Sequence, residues 1–188
     1  MGTSTAPFLE DPWSAAHLPP SGGPASFSGA PASERGEILV RGPNVTPGYW
    51  QLPDATRDAF DDFGWFRTGD IGYLDGEGYL CICDRKKDMV ITGGENVYPA
   101  EVESELVAHP DIAEVAVVGL PDDKWGEAVK AIIVLKPNAE ANEADIISHC
   151  RDKIAGYKVP KSIDFTDVLP RNPSGKLLKR ELRKPYWE

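Results

Sequence analysis

Two runs of apolar, largely β-branched residues, Ile112 to Leu120 and Ala128 to Leu135, flank the polar segment Pro121-Asp122-Asp123-Lys124-Trp125-Gly126. Their length and their Val and Ile content mark two strands separated by a loop, and the elements around them alternate. Met89 to Thr92 is a short strand, and Gly93-Gly94-Glu95-Asn96 is a turn. Pro99 suits the first turn of a helix that carries Val102, Leu106 and Val107. A second amphipathic helix has the stripe Ile146, Ile147, Cys150 and Ile154, with Gly156 placed to end it in a left-handed cap. A strand near Ser162 to Val168 follows, then a loop holding Lys176 and a terminal helix from Leu177. This is the pattern of a compact α/β domain of about 100 residues.

The segment before it is different in kind. Glu37 to Arg41 and Tyr79 to Cys83 are strands, the latter entered through the turn Asp75-Gly76-Glu77-Gly78, and Pro53 to Phe60 is a short helix. Trp65, Phe66 and Tyr79 are expected to pack this β-rich unit, although aromatics can also stack on bases. The fold class is therefore α/β (α+β), with a small β-rich subdomain over 36–84 followed by a compact domain over 85–188. The boundary falls at Asp84 to Asp88, a charged segment between apolar strands where backbone rotation can be absorbed. Residues 1–35 are mostly Ala, Ser, Pro and Gly and are expected to be loop or disordered.

Charge and cysteine usage narrow the functional classes. A net charge of -10 over 188 residues argues against nucleic-acid and acidic-membrane partners. Ten of the twenty Lys and Arg nevertheless lie between Arg151 and Lys184, so a small anion could be attracted there, or the helix is simply solvated. No run is long enough to span a bilayer. No Lys or Arg precedes Arg35, so neither a secretory leader nor a transit peptide is expected, and Ala6 breaks the myristoylation pattern begun by Met1-Gly2. Cys81, Cys83 and Cys150 make no complete disulfide framework, so a cytoplasmic location is expected. Cys81 and Cys83 lack a second ligand pair and are expected to be buried packing residues rather than metal ligands, and no metal site is assigned in this chain.

Three signals carry chemistry. Thr68-Gly69-Asp70 presents a carboxylate after a glycine turn, able to accept from paired hydroxyls, although an Asp there can also simply close the turn. Asp84-Arg85-Lys86-Lys87-Asp88 supplies an arginine fork suited to phosphate, or an ordinary solvated strand end. Pro173-Ser174-Gly175-Lys176 places a lysine on a loop, and such a set points to chemistry on a nucleotide.

These motifs, with Gly64 to Asp70 and Gly93-Gly94-Glu95-Asn96-Val97-Tyr98-Pro99, resemble in order the C-terminal third of acyl-CoA synthetases. That is the AMP-binding, adenylate-forming superfamily of firefly luciferase and the peptide-synthetase adenylation domains. The resemblance runs from about Gly36 to Lys184. It implies that residues 36–84 end the large AMP-binding domain and that 85–188 form its C-terminal lid. It further implies an ATP-dependent ligase that converts a carboxylic acid to an acyl-adenylate and then to an acyl-CoA, commonly from a fatty or aromatic acid. In that scheme Asp70 binds the ribose hydroxyls and Arg85 the ribose and phosphate. Lys176 is the catalytic lysine of adenylation, Lys87 the hinge, and Gly93 and Gly94 face the CoA arm.

ATP or AMP, CoA and Mg2+ are the implied cofactors, the metal being held mainly by the large domain. The family's phosphate loop and its aromatic-Gly-x-Thr-Glu motif do not occur in this sequence. The chain is accordingly expected to be inactive alone and to work with a large AMP-binding domain, which a separate chain can supply. A non-catalytic binding module is the alternative.

Overall fold

A computed structural model of the chain describes residues 34–187, so the reading of the first 33 residues as loop or disorder lies outside the described residues. The chain divides into two compact units, the first ending at Lys86 and the second beginning at Lys87. Both are mixed in structure, with antiparallel sheets and a few helices.

The first unit is a three-stranded antiparallel sheet in the order β1 (Gly36–Val40), β2 (Phe66–Leu74), β3 (Leu80–Arg85), with a short helix α1 (Pro53–Ala59) between β1 and β2. Strand β2 was not foreseen, because its glycines and charges interrupt the apolar alternation that marks strands. Trp65 is buried and Arg41 stacks over its ring, with the guanidinium carbon 4.6 Å from the centroid. Phe66 meets Phe60 edge to face at 5.3 Å. Tyr79, expected to pack, is instead 67% exposed, since it follows a turn closed by the Asp75 carboxylate accepting from its N–H. Cys81 and Cys83 are half-buried rather than buried, on an edge strand whose outward Ile82 is exposed.

The second unit is a five-stranded sheet with helices on both faces. Its longest pairing is the antiparallel pair β6 (Ile112–Asp122) and β7 (Gly126–Leu135), with β6 at one edge. Pairing continues to Pro121 with Glu127 and Asp122 with Gly126, so the polar segment is mostly strand. The turn itself is tight because Asp122 Oδ1 accepts from both Lys124 N–H and Trp125 N–H, while Gly126 takes φ +78°. The short hairpin β4 (Val90–Thr92) and β5 (Glu95–Val97) meets the start of β7 at Thr92 and Gly126, and β8 (Ser162–Phe165) runs parallel to the same edge further along.

The continuous apolar character of β6 and β7 has a direct cause, since both of their faces are covered. Val117, Val129, Ala131 and Ile133 point into a core with Val102 and Leu106 of α2 (Pro99–Val107) and Ile146 and Cys150 of α3 (Glu143–Arg151). Ala116, Val118 and Ile132 point the other way, against Leu169, Leu177 and Leu182, the last carried by α4 (Lys179–Trp187). Leu106 is fully buried, and truncating such a residue to Ala typically costs about 2–5 kcal/mol.

Helix α3 starts at Asn142, whose side chain accepts from Asp145 N–H. It ends at Arg151 with Asp152 in the right-handed region, so Gly156 is not its cap and has no positive φ. Val107, the last residue of α2, is exposed rather than part of the apolar stripe. Helix α4 begins at Lys179, later than expected, because Leu177 pairs with Arg171 in a β-bridge.

Candidate functional site

In the first unit, Gly69 takes φ +72°, and the Thr68 hydroxyl on its other side donates to Ile38 O at 2.7 Å while accepting from Asp70 N–H at 3.1 Å. This kink in β2 sets Asp70 opposite Arg85 across the β2–β3 ladder, with Arg85 Nε 3.4 Å from Asp70 Oδ1. The carboxylate is 30% exposed and the guanidinium 48%, so both keep polar atoms turned to solvent. A partly exposed acceptor pair beside a donor fork can bind a vicinal diol and an anionic group side by side.

One residue beyond the strand, at the start of a 3-10 turn, Lys86 Nζ reaches the Glu37 carboxylate at 2.7 Å, and Arg67 lies 3.9 Å from the same oxygen. Glu37 is buried, and these two cations are what compensate its charge. Composition alone did not single it out, because an acidic residue at a strand start usually faces water.

Lys87 is the first residue of the second unit, and Gly93 and Gly94 form the two-residue loop between β4 and β5. Their φ values of +60° and +85° are those a tight hairpin requires and only glycine adopts readily. Gly93 N–H donates to Trp125 O at 2.8 Å, and a Cβ at Gly93 would sit 2.9 Å from Trp125 Cε3. Gly94 faces open space. The half-exposed Trp125 indole has the Lys124 ammonium 4.6 Å above it.

Lys176 sits on a constructed loop and not on a slack one. Asn172 Oδ1 accepts from Lys176 N–H and from the Ser174 hydroxyl, each at 2.8 Å, and Asn172 N–H donates to Lys176 O at 2.9 Å. Arg171 ties the loop to the sheet: its Nη1 donates to Gly175 O at 2.9 Å and its Nη2 lies 2.6 Å from Glu114 Oε2 on β6. Gly175 takes φ +83° to close the turn. The exposed Lys176 ammonium has no hydrogen-bond or ion-pair partner among the described residues. Lys130, Lys158 and Lys179 of the same unit, by contrast, are paired with Asp164, Glu101 and Glu103.

The structure thus brings Asp70 and Arg85 together, and sets Lys87, Gly93, Gly94 and Lys176 in the other unit. Residues that the motifs did not flag are Arg171, Asn172 and Arg183, each of which acts on main-chain atoms rather than through a side-chain pattern visible in one dimension. Around α4, Lys130 Nζ is 2.8 Å from Asp164 Oδ1 and the Tyr186 hydroxyl donates to Asp164 Oδ2 at 2.6 Å. Burial works against the Lys130 charge, but Asp164 outweighs it and holds the ammonium above its ordinary value. Burial likewise pushes the Cys150 thiol up, which keeps it protonated and inert. No three His, Cys, Asp or Glu side chains converge as metal ligands among the described residues, so none of them is given a role toward Mg2+. No described helix is long and apolar enough to cross a membrane.

Residues 101–176 match the family model described as the AMP-binding enzyme C-terminal domain. A long-chain-fatty-acid–CoA ligase of Mycobacterium tuberculosis is 54% identical over 151 residues, which is 80% of this chain and 30% of that protein. A 2-succinylbenzoate–CoA ligase of Geobacillus kaustophilus is 53% identical over 158 residues, 83% of this chain and 32% of that protein. The crystal structure of ATP-bound MatB from Rhodopseudomonas palustris superimposes with a TM-score of 0.81 at 43% identity, covering 92% of this chain and 34% of that one. The chain therefore spans about a third of the length of the relatives it matches.

Proposed function

We propose, on the premise that residues 101–176 form a domain of the AMP-binding enzyme C-terminal family, that this chain serves an ATP-dependent acid–CoA ligase as its lid and adenylation lysine. In this reading residues 36–84 complete the large nucleotide-binding domain and 85–188 are the mobile lid. The reaction joins a carboxylic acid to ATP, forming an acyl-adenylate and releasing pyrophosphate, and then passes the acyl group to the thiol of CoA. The ligases among its relatives support this class of reaction, and none of them favours a non-catalytic module.

The observation that carries the proposal is the Lys176 loop, a hydrogen-bonded frame that presents a cation with no internal partner among the described residues. A lysine brought between a carboxylate and an α-phosphate screens the repulsion of two anions as they approach. It also balances charge on the bridging oxygens in the transition state, so it acts on rate more than on binding. Asp70 is proposed to accept from the ribose hydroxyls, and Arg85 to donate to ribose and phosphate oxygens. For the second half-reaction the lid turns about Lys87, and the bare backbone of Gly93 and Gly94 lines the approach of the CoA arm.

The test is a half-reaction assay. The chain is supplied with a large AMP-binding domain from a related ligase, and acyl-adenylate is measured with ATP and a panel of carboxylic acids. Adenylation that depends on Lys176 supports the proposal. A folded, complete enzyme whose adenylation is indifferent to Lys176 refutes it.

A further inference from the structure

The junction between the units is held from each side by a different charged side chain. On the first side, Arg85 ends β3 in register with Asp70, and the next residue, Lys86, is tied through its ammonium to the buried Glu37 carboxylate at 2.7 Å. On the second side, the Arg183 guanidinium, carried by α4, donates from Nη1 to Lys87 O at 2.9 Å and from Nη2 to Asp88 O at 3.0 Å. The Asp88 carboxylate lies 3.8 Å from the same Nη2. A planar guanidinium with two forked donors fixes the orientation of the two peptide groups it bridges, which a single flexible donor would not do. Arg183 is itself anchored, because α4 packs Leu182 against the sheet and Trp187 Nε1 donates to Gly119 O at 3.1 Å.

We infer that Glu37 and Arg183 are a pair of anchors that confine any turning of the second unit to the Lys86–Lys87 linkage. The peptide groups after Lys87 and Asp88 move with the second unit because Arg183 holds both carbonyls. The backbone up to Arg85 moves with the first because it is in the sheet. What remains to turn is the linkage between the Cα atoms of Lys86 and Lys87, which lies inside a single 3-10 turn over Lys86–Asp88, so a swing has to open that turn. Arg183 is thus a positioning residue for the hinge that the proposed function assigns to Lys87, and its helix has a task besides covering the sheet. A short, sharply bounded joint makes the second unit swing as a rigid body about one axis, whereas a loose linker would let it tumble.

The test uses the chain as it stands and a protease that cuts after lysine, with cleavage followed by mass spectrometry. Under native conditions, cutting at a site reports how often it opens locally. Arg183→Ala is expected to raise cleavage after Lys87 about tenfold, the consequence of losing two charge-assisted bonds, with cleavage after Lys124 and Lys153 unchanged. Glu37→Gln is expected to raise cleavage after Lys86 and to leave Lys124 and Lys153 alone. Arg183→Lys keeps the cation but not the fork and should give a smaller rise after Lys87, and it serves as the comparison should the alanine variant not fold. The inference is overturned if the Arg183 variants leave cleavage after Lys87 unchanged. It is equally overturned if they raise cleavage at Lys124 and Lys153 by the same factor, which would make Arg183 a general stabiliser of its unit, or if Glu37→Gln leaves cleavage after Lys86 unchanged. No nucleotide enters this experiment, so its failure and the failure of the adenylation assay are separate results.

Discussion

Asp70 and Arg85 stand opposite one another on antiparallel strands, with Arg85 Nε 3.4 Å from Asp70 Oδ1. Both side chains are partly exposed, and a pair in that setting adds at most about 1 kcal/mol to stability. Under the proposed function the pairing holds the two groups in place for the nucleotide. Asp70→Asn, in a complete ligase, should weaken ATP or AMP binding by about 10- to 100-fold, the value of hydrogen bonds to a charged acceptor, while the melting temperature barely moves. Calorimetric titration with AMP beside a thermal melt checks both halves. A large loss of stability with unchanged binding would make the pair structural.

Lys176→Ala should lower the rate of adenylation by about 100- to 1000-fold, as loss of one preorganised transition-state donor typically does. The residue is exposed and pairs with nothing among the described residues, so folding should be unaffected. Thioester formation from a supplied acyl-adenylate should be spared if, as proposed, the ammonium acts only while carboxylate and phosphate meet. Separate single-turnover measurements of the two half-reactions decide it.

Gly93 and Gly94 both have left-handed backbone, yet their substitutions should differ. Gly94→Ala meets open space and should cost only the strain of that conformation, about 1–2 kcal/mol. Gly93→Ala adds a 2.9 Å collision with the Trp125 ring and should cost about 2–4 kcal/mol. Urea unfolding of the two variants, alone and with Trp125→Ala, separates the terms, since removing the ring should relieve the collision but leave the strain.

The Lys130–Asp164–Tyr186 cluster makes stability depend on pH at both extremes. Burial opposes the Asp164 charge, but bonds from Lys130 and Tyr186 prevail and hold its pKa below the ordinary aspartate value of 3.8. Its contribution is complete above that value and is lost as pH falls through the lower folded pKa. The bond to Asp164, followed by burial, raises the pKa of Tyr186, and that of Lys130 is also raised, so their contributions are complete below about 10 and are lost as pH rises through the folded values. The stability difference between the natural chain and Tyr186→Phe should therefore be constant from about pH 5 to 9 and shrink on either side. Denaturant unfolding across that range measures it.

Most of the architecture can be read from local chemistry. The apolar runs of β6 and β7, Pro99 at the start of α2 and the paired glycines after β4 each dictate their own conformation through sterics and hydrophobic period. The motif positions Asp70, Arg85 and Lys176 are likewise visible, the first and last beside glycine turns and Arg85 in a charged run between apolar strands. Strand β2 was not visible, since Thr68, Gly69 and Asp70 break the alternation on which strand recognition depends. The later start of α4 and the exposure of Tyr79 follow from a β-bridge at Leu177 and a turn closed by Asp75, and no propensity encodes those contacts.

What the chain of residues determined alone is the set of elements and the chemical groups they carry, because backbone preference and side-chain charge act within a few positions. Tertiary structure decided which groups meet. Arg183 reaches carbonyls 95 and 96 residues away, Arg171 a carboxylate 57 away, and Lys86 a carboxylate 49 away. These partners are joined by sheet register and helix docking, which arise from packing two apolar faces at once and leave no periodic trace in the sequence.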